Sequence, residues 1–471
     1  MKHPAGSTGE TPTGESADLA ARLDRLPVML PHVVWISILT VNLMLEYYDN
    51  ALFAYIIPAI KESTGLGLGR IGMVSTAFFI GMVLGGLVGG RLSDRFGRRW
   101  VLVWGTALYS SGAVLTMFAP NYELLLVSRV ITGIGVQAAG AALLVYIAEM
   151  FPSATRGRFM SVVTSAFVII APVVALLALV VIPDGGPDTW RHLFGVGGAI
   201  GLLIAPVVRF CMPESVRWCA SRGRMPEAAD TVGKLEARAL RRGPLAEPRA
   251  APAGTESPPV RRILRNKRTI RTTAVLSVGF FGSTLGLYLF QNWALYVLVD
   301  GLAYTKGHAY EIQLIWNLVY AVTPFLALLF IDRAERKTAV FVLSVVAAVP
   351  LVAFGLATES RLVTATGGLC GIVTGLVVTV YYAYIPEALP TAARGLGSGV
   401  IKSVGHCGGA AAGVLGAALY GGWGNTGLMA VAAASYIVFA LPVLFFGPRT
   451  TNRPLEGVAA EEPSTTEGVR T

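Results

Sequence analysis

Charge is what this chain has least of. Of its 471 residues, 14% are Asp, Glu, Lys or Arg, where a soluble domain is nearer a quarter. Hydrophobic residues make up 54%, and the mean hydropathy is +0.61. That balance excludes a water-facing surface of ordinary composition, so long apolar stretches have to lie in lipid. Histidine is scarce as well: His3, His32, His192, His308 and His406 show no spacing for a metal site or a nucleophile–base set. No enzyme activity, metal or cofactor is therefore expected. The four cysteines (Cys211, Cys219, Cys370, Cys407) lie in or beside apolar runs, with no disulfide framework. Residues 1–30 are polar and lack a short apolar core followed by a small-residue cleavage site, so no cleaved signal peptide is expected. There is no recognisable soluble output domain, which argues against a membrane sensor. Glycine clusters sit inside apolar runs and carry no weight as a nucleotide site.

What is present is a series of apolar runs near 20 residues. Only helices or closed barrels satisfy every backbone group in lipid, and this length suits helices, not the ~10-residue strands of barrels. Twelve spans are predicted: 32–60, 71–90, 100–118, 124–148, 158–182 and 191–211, then 271–298, 308–331, 338–357, 361–385, 397–420 and 424–447. This defines an all-α polytopic membrane protein: an N-terminal six-helix bundle at 32–211, a linker at 212–270 and a C-terminal six-helix bundle at 271–447. Segments 1–31 and 448–471 read as disordered cytoplasmic ends. Within the linker, Met225–Arg242 has helical character and Gly243–Pro259 is rich in Pro and Ala. The net charge of +10 is no nucleic-acid signal. Its arginines collect in loops on one side (Arg91, Arg95, Arg98, Arg99, Arg156, Arg158, Arg333, Arg336, Arg394), which places that side and both termini in the cytoplasm.

Two matches share one offset of 238 positions. Asp94, in the loop Gly90–Arg99, corresponds to Asp332 in Asp332-Arg333-Ala334-Glu335-Arg336. Tyr146-Ile147-Ala148-Glu149 through Arg156-Gly157 corresponds to Tyr384-Ile385-Pro386-Glu387 through Arg394-Gly395. Duplicated six-helix halves with a central site are the architecture of secondary transporters.

These residues carry a resemblance to the major facilitator superfamily. The loop Gly90–Arg99 is similar to the family's signature after the second helix, and Arg129 through Gly133 and Gly135 to its fourth-helix signature. Pro213-Glu214-Ser215-Val216-Arg217 is similar to the segment after the sixth helix in the sugar-porter and aromatic-acid-porter branches. Glu46-Tyr47-Tyr48-Asp49 resembles the acidic pair of organic-acid and metabolite proton symporters, and Trp293 with Tyr296 their seventh-helix aromatics. His406 stands where those branches have arginine. The resemblance implies two pseudo-symmetric bundles, and a gating loop in which Asp94 closes one side.

Asn42, Glu46 and Asp49 lie at i, i+4 and i+7, on one face of the first helix. Carboxylates inside an apolar run cost roughly 2.5 kcal/mol or more each when charged. Burial and mutual repulsion favour a bound proton, so Asp49 and Glu46 are candidate proton-coupling groups, with His406 a third. Arg129 is the natural partner, either for Asp49 or for a substrate carboxylate. Candidate substrate residues are Asn42, Arg129, Gln137, Gln291, Asn292, Trp293, Tyr296, Gln313, Trp316, Asn317, Tyr320 and Tyr381, a set of aromatics and amides suited to a small organic ligand. Candidate gating residues are Gly90, Asp94, Arg95, Gly97, Arg98, Arg99, Glu149, Arg156, Asp332, Arg333, Glu387 and Arg394, with Glu149–Arg156 and Glu387–Arg394 expected as matching charge clusters. The function this supports is proton-coupled symport of a small organic solute, such as a carboxylate or related metabolite, by a monomer in the cell membrane. Its partners are the solute, protons and the bilayer, with no nucleic acid. The alternative is a proton-antiport exporter of a drug or natural product.

Overall fold

The computed structural model describes residues 14–248, 266–331, 333–390 and 393–450. Its helices in chain order are α1 (Gly14–Asp24), α2 (Leu30–Thr64), α3 (Leu68–Phe96), α4 (Arg98–Met117), α5 (Tyr122–Met150), α6 (Ser153–Val181), α7 (Thr189–Cys211), α8 (Val216–Ser221) and α9 (Met225–Leu240). After the linker come α10 (Lys267–Tyr296), which ends in a π turn at Val297–Gly301, then α11 (Lys306–Tyr320), α12 (Thr323–Leu328), α13 (Arg336–Leu356), α14 (Ser360–Glu387) and α15 (Arg394–Phe446). Among the described residues, eleven helical stretches are long and apolar enough to cross a bilayer. The last counts twice. At 53 residues α15 would extend about 80 Å at 1.5 Å per residue, against a hydrocarbon layer of about 30 Å. Gly424, at φ 63°, breaks it into two spans, so twelve crossings are present as the hydropathy pattern predicts. Pro324 divides the eighth span into α11 and α12.

The chain forms two compact units. The first comprises Met1–Ala51, Gly81–Ile170 and Arg191–Glu256; the second comprises Leu52–Ile80, Ala171–Trp190 and Ser257–Thr471. The division runs through α2, α3 and α6 instead of following the linker. In the second unit, Lys61 of α2 bonds Asp300 at 2.7 Å, Glu62 takes Lys306 at 2.5 Å and Tyr310 donates to the Tyr55 carbonyl at 2.5 Å. Those contacts draw the far end of α2 into the second unit, and Thr76 of α3 follows by donating to the Ala410 carbonyl at 2.6 Å.

Within the first unit, Gly81, Gly85 and Gly89 of α3 face Val130, Ile134 and Ala138 of α5, too closely for a Cβ. The four-residue glycine stripe is therefore a helix-packing seam. Gly90 faces open space.

The N-terminal segment differs from the sequence expectation. Part of 1–31, expected to be disordered, is the helix α1: Leu19, Leu23 and Leu26 are buried with Val232, Leu235 and Ala239 of α9 in one apolar cluster. Glu236 of α9 accepts from Arg22 at 2.6 Å and from Arg25 at 2.5 Å. Within the linker 212–270, where helical character was expected at Met225–Arg242, α9 forms at Met225–Leu240, and its Val232, Leu235 and Ala239 join the apolar cluster of the first unit. The tail beyond residue 450 and residues 249–265 lie outside the described residues.

Hydrogen bonding from Arg22, then from Arg25, holds the Glu236 carboxyl below its ordinary value of 4.5. A depressed carboxylate contributes stability above its unfolded-state value and loses it as pH falls through the folded-state value. Protease cleavage within 14–29 is accordingly expected to be slow at neutral pH and to accelerate below about pH 4.5. Glu236→Gln is expected to cleave fast at every pH. A cleavage rate that does not respond to this substitution would contradict the clamp.

Candidate functional site

Three polar side chains of α2 are enclosed in the first unit: Asn42, Glu46 and Asp49 are 0%, 4% and 3% exposed. Each has a different environment. Asn42 accepts from Thr106 Oγ1 at 2.8 Å and Tyr109 Oη at 3.0 Å, and donates through Nδ2 to Glu46 Oε1 at 2.9 Å. Its oxygen is thus committed to α4, which fixes its amide toward Glu46. Asp49 meets Arg129 of α5, with Nη1 at 3.1 Å from Oδ1 and 2.9 Å from Oδ2. The guanidinium lies 5.0 Å from the Phe194 ring centroid on α7, a favourable cation–ring arrangement. Tyr48 ties α2 to α7 through the Leu193 carbonyl at 2.8 Å. Glu46 has no ion pair among the described residues, and its other oxygen lies against Gly140 of α5. The arrangement therefore contains one neutralised carboxylate and one that only an amide supports. Gln137 is half-buried on α5.

The remaining substrate candidates are in the second unit, mostly bonded within it. Asn292 donates to Ser75 Oγ at 3.2 Å, and Trp293 to the Ala412 carbonyl at 3.2 Å. Tyr296 donates to Asp300 at 2.6 Å and accepts from Lys61 at 2.6 Å. Trp316 donates to the Thr364 carbonyl at 2.8 Å, and Asn317 to the Gln313 carbonyl at 2.6 Å. Gln313 and Asn317 also meet the side chain of Tyr55. Tyr320 and Tyr381 are buried, while Gln291 is half-buried. His406 stacks on Phe79 with centroids 6.5 Å apart. One turn before it on α15, Lys402 Nζ lies 5.0 Å from the Tyr382 ring centroid.

The repeated motifs form the same latch in each half. Arg98 binds Glu149 through two bonds of 2.9 Å, and Arg336 binds Glu387 at 3.0 and 3.2 Å. Each glutamate also takes a hydroxyl, Ser215 at 2.5 Å and Thr450 at 3.2 Å. Each motif tyrosine closes on a proline carbonyl, Tyr146 on Pro213 at 3.0 Å and Tyr384 on Pro448 at 2.6 Å. The expected Glu149–Arg156 and Glu387–Arg394 clusters are not what forms. Arg156 reaches Asp24 at 3.6 Å, and Arg394 donates to the Pro386 carbonyl at 3.0 Å. The glutamates are already occupied by arginines that begin the preceding helix pair. The 238-residue offset that relates Arg98 to Arg336 contained this signal.

In the signature loop, Gly97 has φ 103° and a Cβ there would strike the Glu214 carboxylate. Glu214 instead caps α4, accepting from the Arg99 backbone at 3.0 Å. Asp94 is exposed, pairs with Arg98 at 3.1 Å, and its carbonyl takes Trp218 at 2.8 Å and Arg222 at 2.6 Å. Arg95 lies over Phe96, Arg99 bonds the Met212 carbonyl at 3.3 Å, and Arg333 is exposed. Asp332 lies outside the described residues.

A family model for sugar (and other) transporters matches residues 36–461. The chain belongs to that family. A Bacillus subtilis protein named for metabolite transport, YyaJ, is 28% identical over 451 residues, 93% of this chain and 97% of its own length. The niacin transporter NiaP of Acinetobacter baylyi is 28% identical over 396 residues, 84% of this chain and 89% of the relative. A crystal structure of a D-xylose-proton symporter aligns with a TM-score of 0.72 at 19% identity, covering 89% of this chain and 99% of that one. The fold is thus the major facilitator fold, and the protein is a multi-pass membrane transporter, not an enzyme.

Removing one partner of a buried ion pair costs about 3–5 kcal/mol, because the other charge is left uncompensated. Asp49→Asn is therefore expected to lower the melting temperature in detergent markedly, and Asp49→Asn with Arg129→Gln to recover much of the loss. Glu46→Gln, which breaks no ion pair, is expected to cost less. Equal losses for Asp49→Asn and Glu46→Gln would contradict the different environments described.

Proposed function

We propose that this protein is a proton-coupled symporter of a small organic carboxylate, working by alternating access, with the arginine-rich end and both termini in the cytoplasm. The observation that carries the proposal is Glu46, 4% exposed and with no cation bound among the described residues, one turn from the closed Asp49–Arg129 pair. With both carboxylates ionised this trio carries one net negative charge, and a single proton makes it neutral. A neutral cluster crosses conformations in a low-dielectric interior at less cost than a charged one. The proton belongs to the interacting pair of carboxylates, and Glu46 is its seat when Asp49 faces Arg129.

The carboxylate assignment rests on Lys402. This cation lies within a membrane span and makes no ion pair among the described residues. Tyr382 and His406 share its surroundings, and all three suit an aromatic or aliphatic anion. Niacin, carried by the relative NiaP, is itself a small aromatic carboxylate. Asp94 and the two Arg–Glu latches are proposed to bias the conformational equilibrium without touching the solute.

The test uses proteoliposomes with a trapped pH dye and a panel of monocarboxylates, sugars and amines. A carboxylate is expected to acidify the lumen. Glu46→Gln is expected to abolish acidification while keeping exchange of solute for solute. Lys402→Gln is expected to raise the half-saturating concentration at least about ten-fold, about 1.4 kcal/mol of lost binding, with coupling intact. Full acidification in Glu46→Gln would overturn the proton assignment, and luminal alkalinisation would replace symport with antiport export.

A further inference from the structure

A cleft of about 1210 Å³ opens at the arginine-rich end of the first unit, where the start of α2, the end of α7 and one face of α9 meet. Its lining does not include the Glu46–Asp49–Arg129 cluster. One wall is apolar and open: Leu30 and Phe210 are 65% and 81% exposed. Phe210 ends a stripe of exposed side chains on α7 (Val196, Ile200, Leu203, Val207) spaced three or four residues apart. That spacing is one helical face, turned to lipid in a protein of this class.

The other wall is basic. Arg238, Arg241 and Arg242 line it, are exposed, and make no ion pair among the described residues. The acids in the same cleft are already engaged. Glu227 pairs with Arg224 at 2.5 Å, Asp230 with Lys234 at 2.6 Å, and Glu214 accepts from the Arg99 and Ser215 backbones. The cleft therefore joins three spare guanidinium groups to an apolar track at the level where a membrane helix ends. The chain's own neighbouring segment, 249–265, carries four arginines and one glutamate, so it lacks the complementary charge.

We propose that this cleft binds an anionic phospholipid. The phosphate sits among Arg238, Arg241 and Arg242, where guanidinium forks match phosphate oxygens, and the acyl chains lie along Phe210 and the α7 stripe. Basic recesses at membrane-helix ends are suited to such headgroups. A lipid in this place links α9 to the ends of α2 and α7. The inference rests on membrane insertion alone, so it stands or falls independently of the transported solute.

The test is native mass spectrometry of the full-length protein in mild detergent, titrated with dioleoyl phosphatidylglycerol, dioleoyl phosphatidylcholine or glycerol phosphate. One phosphatidylglycerol is expected to bind at least about ten-fold more tightly than phosphatidylcholine, and glycerol phosphate, lacking the chains, is expected not to compete. R238Q/R241Q/R242Q is expected to abolish the preference. Neutralising three basic residues at the start of α10 (Lys267, Arg268, Arg271) is expected to leave it intact. Phe210→Ala keeps every charge and is expected to weaken phosphatidylglycerol several-fold, so it decides the matter should the triple variant not fold. An unchanged preference in the triple variant, or unchanged binding in Phe210→Ala, would overturn the proposal. Equal binding of glycerol phosphate would assign the site to a free phosphate and overturn it as well.

Discussion

Inside the hydrocarbon layer a charge has to be balanced within a few ångströms, because no water is there to do it. That constraint organises this structure more than any packing detail. Asp49 and Arg129 balance each other at 2.9 Å. Among the described residues Glu46 has Asn42 as its hydrogen-bond partner, and Asn42 is held by two hydroxyls of α4. Lys402 lies over the Tyr382 ring and makes no ion pair among the described residues. Glu46 and Lys402, which have no counter-charge among the described residues, are of opposite sign. In the proposed mechanism they are the places where a mobile proton and a mobile anion would supply the missing balance, turning an electrostatic deficit into coupling.

At the arginine-rich end the same rule is obeyed by closure. The Arg–Glu–hydroxyl latch and the tyrosine-to-proline bond recur in both halves with nearly the same geometry. Each latch ties three pieces of its half: the start of the third helix, the end of the fourth, and the strand of chain leaving the sixth. The duplicated tetrapeptide beginning at Tyr146 and at Tyr384 is therefore a structural statement, since tyrosine and glutamate each hold one piece of the exiting chain.

The twelve crossings and the two-fold repeat were legible in the sequence because hydropathy and a fixed offset are one-dimensional signals. The partners were not. Glu149 was expected beside Arg156, and its pairing with Arg98 instead depends on helix rotations that only packing sets. The repeat itself held the clue, because Arg98 and Arg336 are related by the same offset as Glu149 and Glu387. Arg129 read equally well as a ligand for substrate or for Asp49, and the structure shows the ion pair. Helix α1 was hidden for another reason. Its leucines are few, and the surface that buries them belongs to α9, more than 200 residues away.

The central claim is that one proton balances the buried carboxylates while Lys402 balances a substrate anion. The most direct test measures charge and protons together, by recording current on a solid-supported membrane alongside luminal pH in the same proteoliposomes. One proton moving with each monocarboxylate predicts luminal acidification with no sustained net current at any solute concentration. A sustained current carried by the solute, or uptake without acidification, would contradict the account.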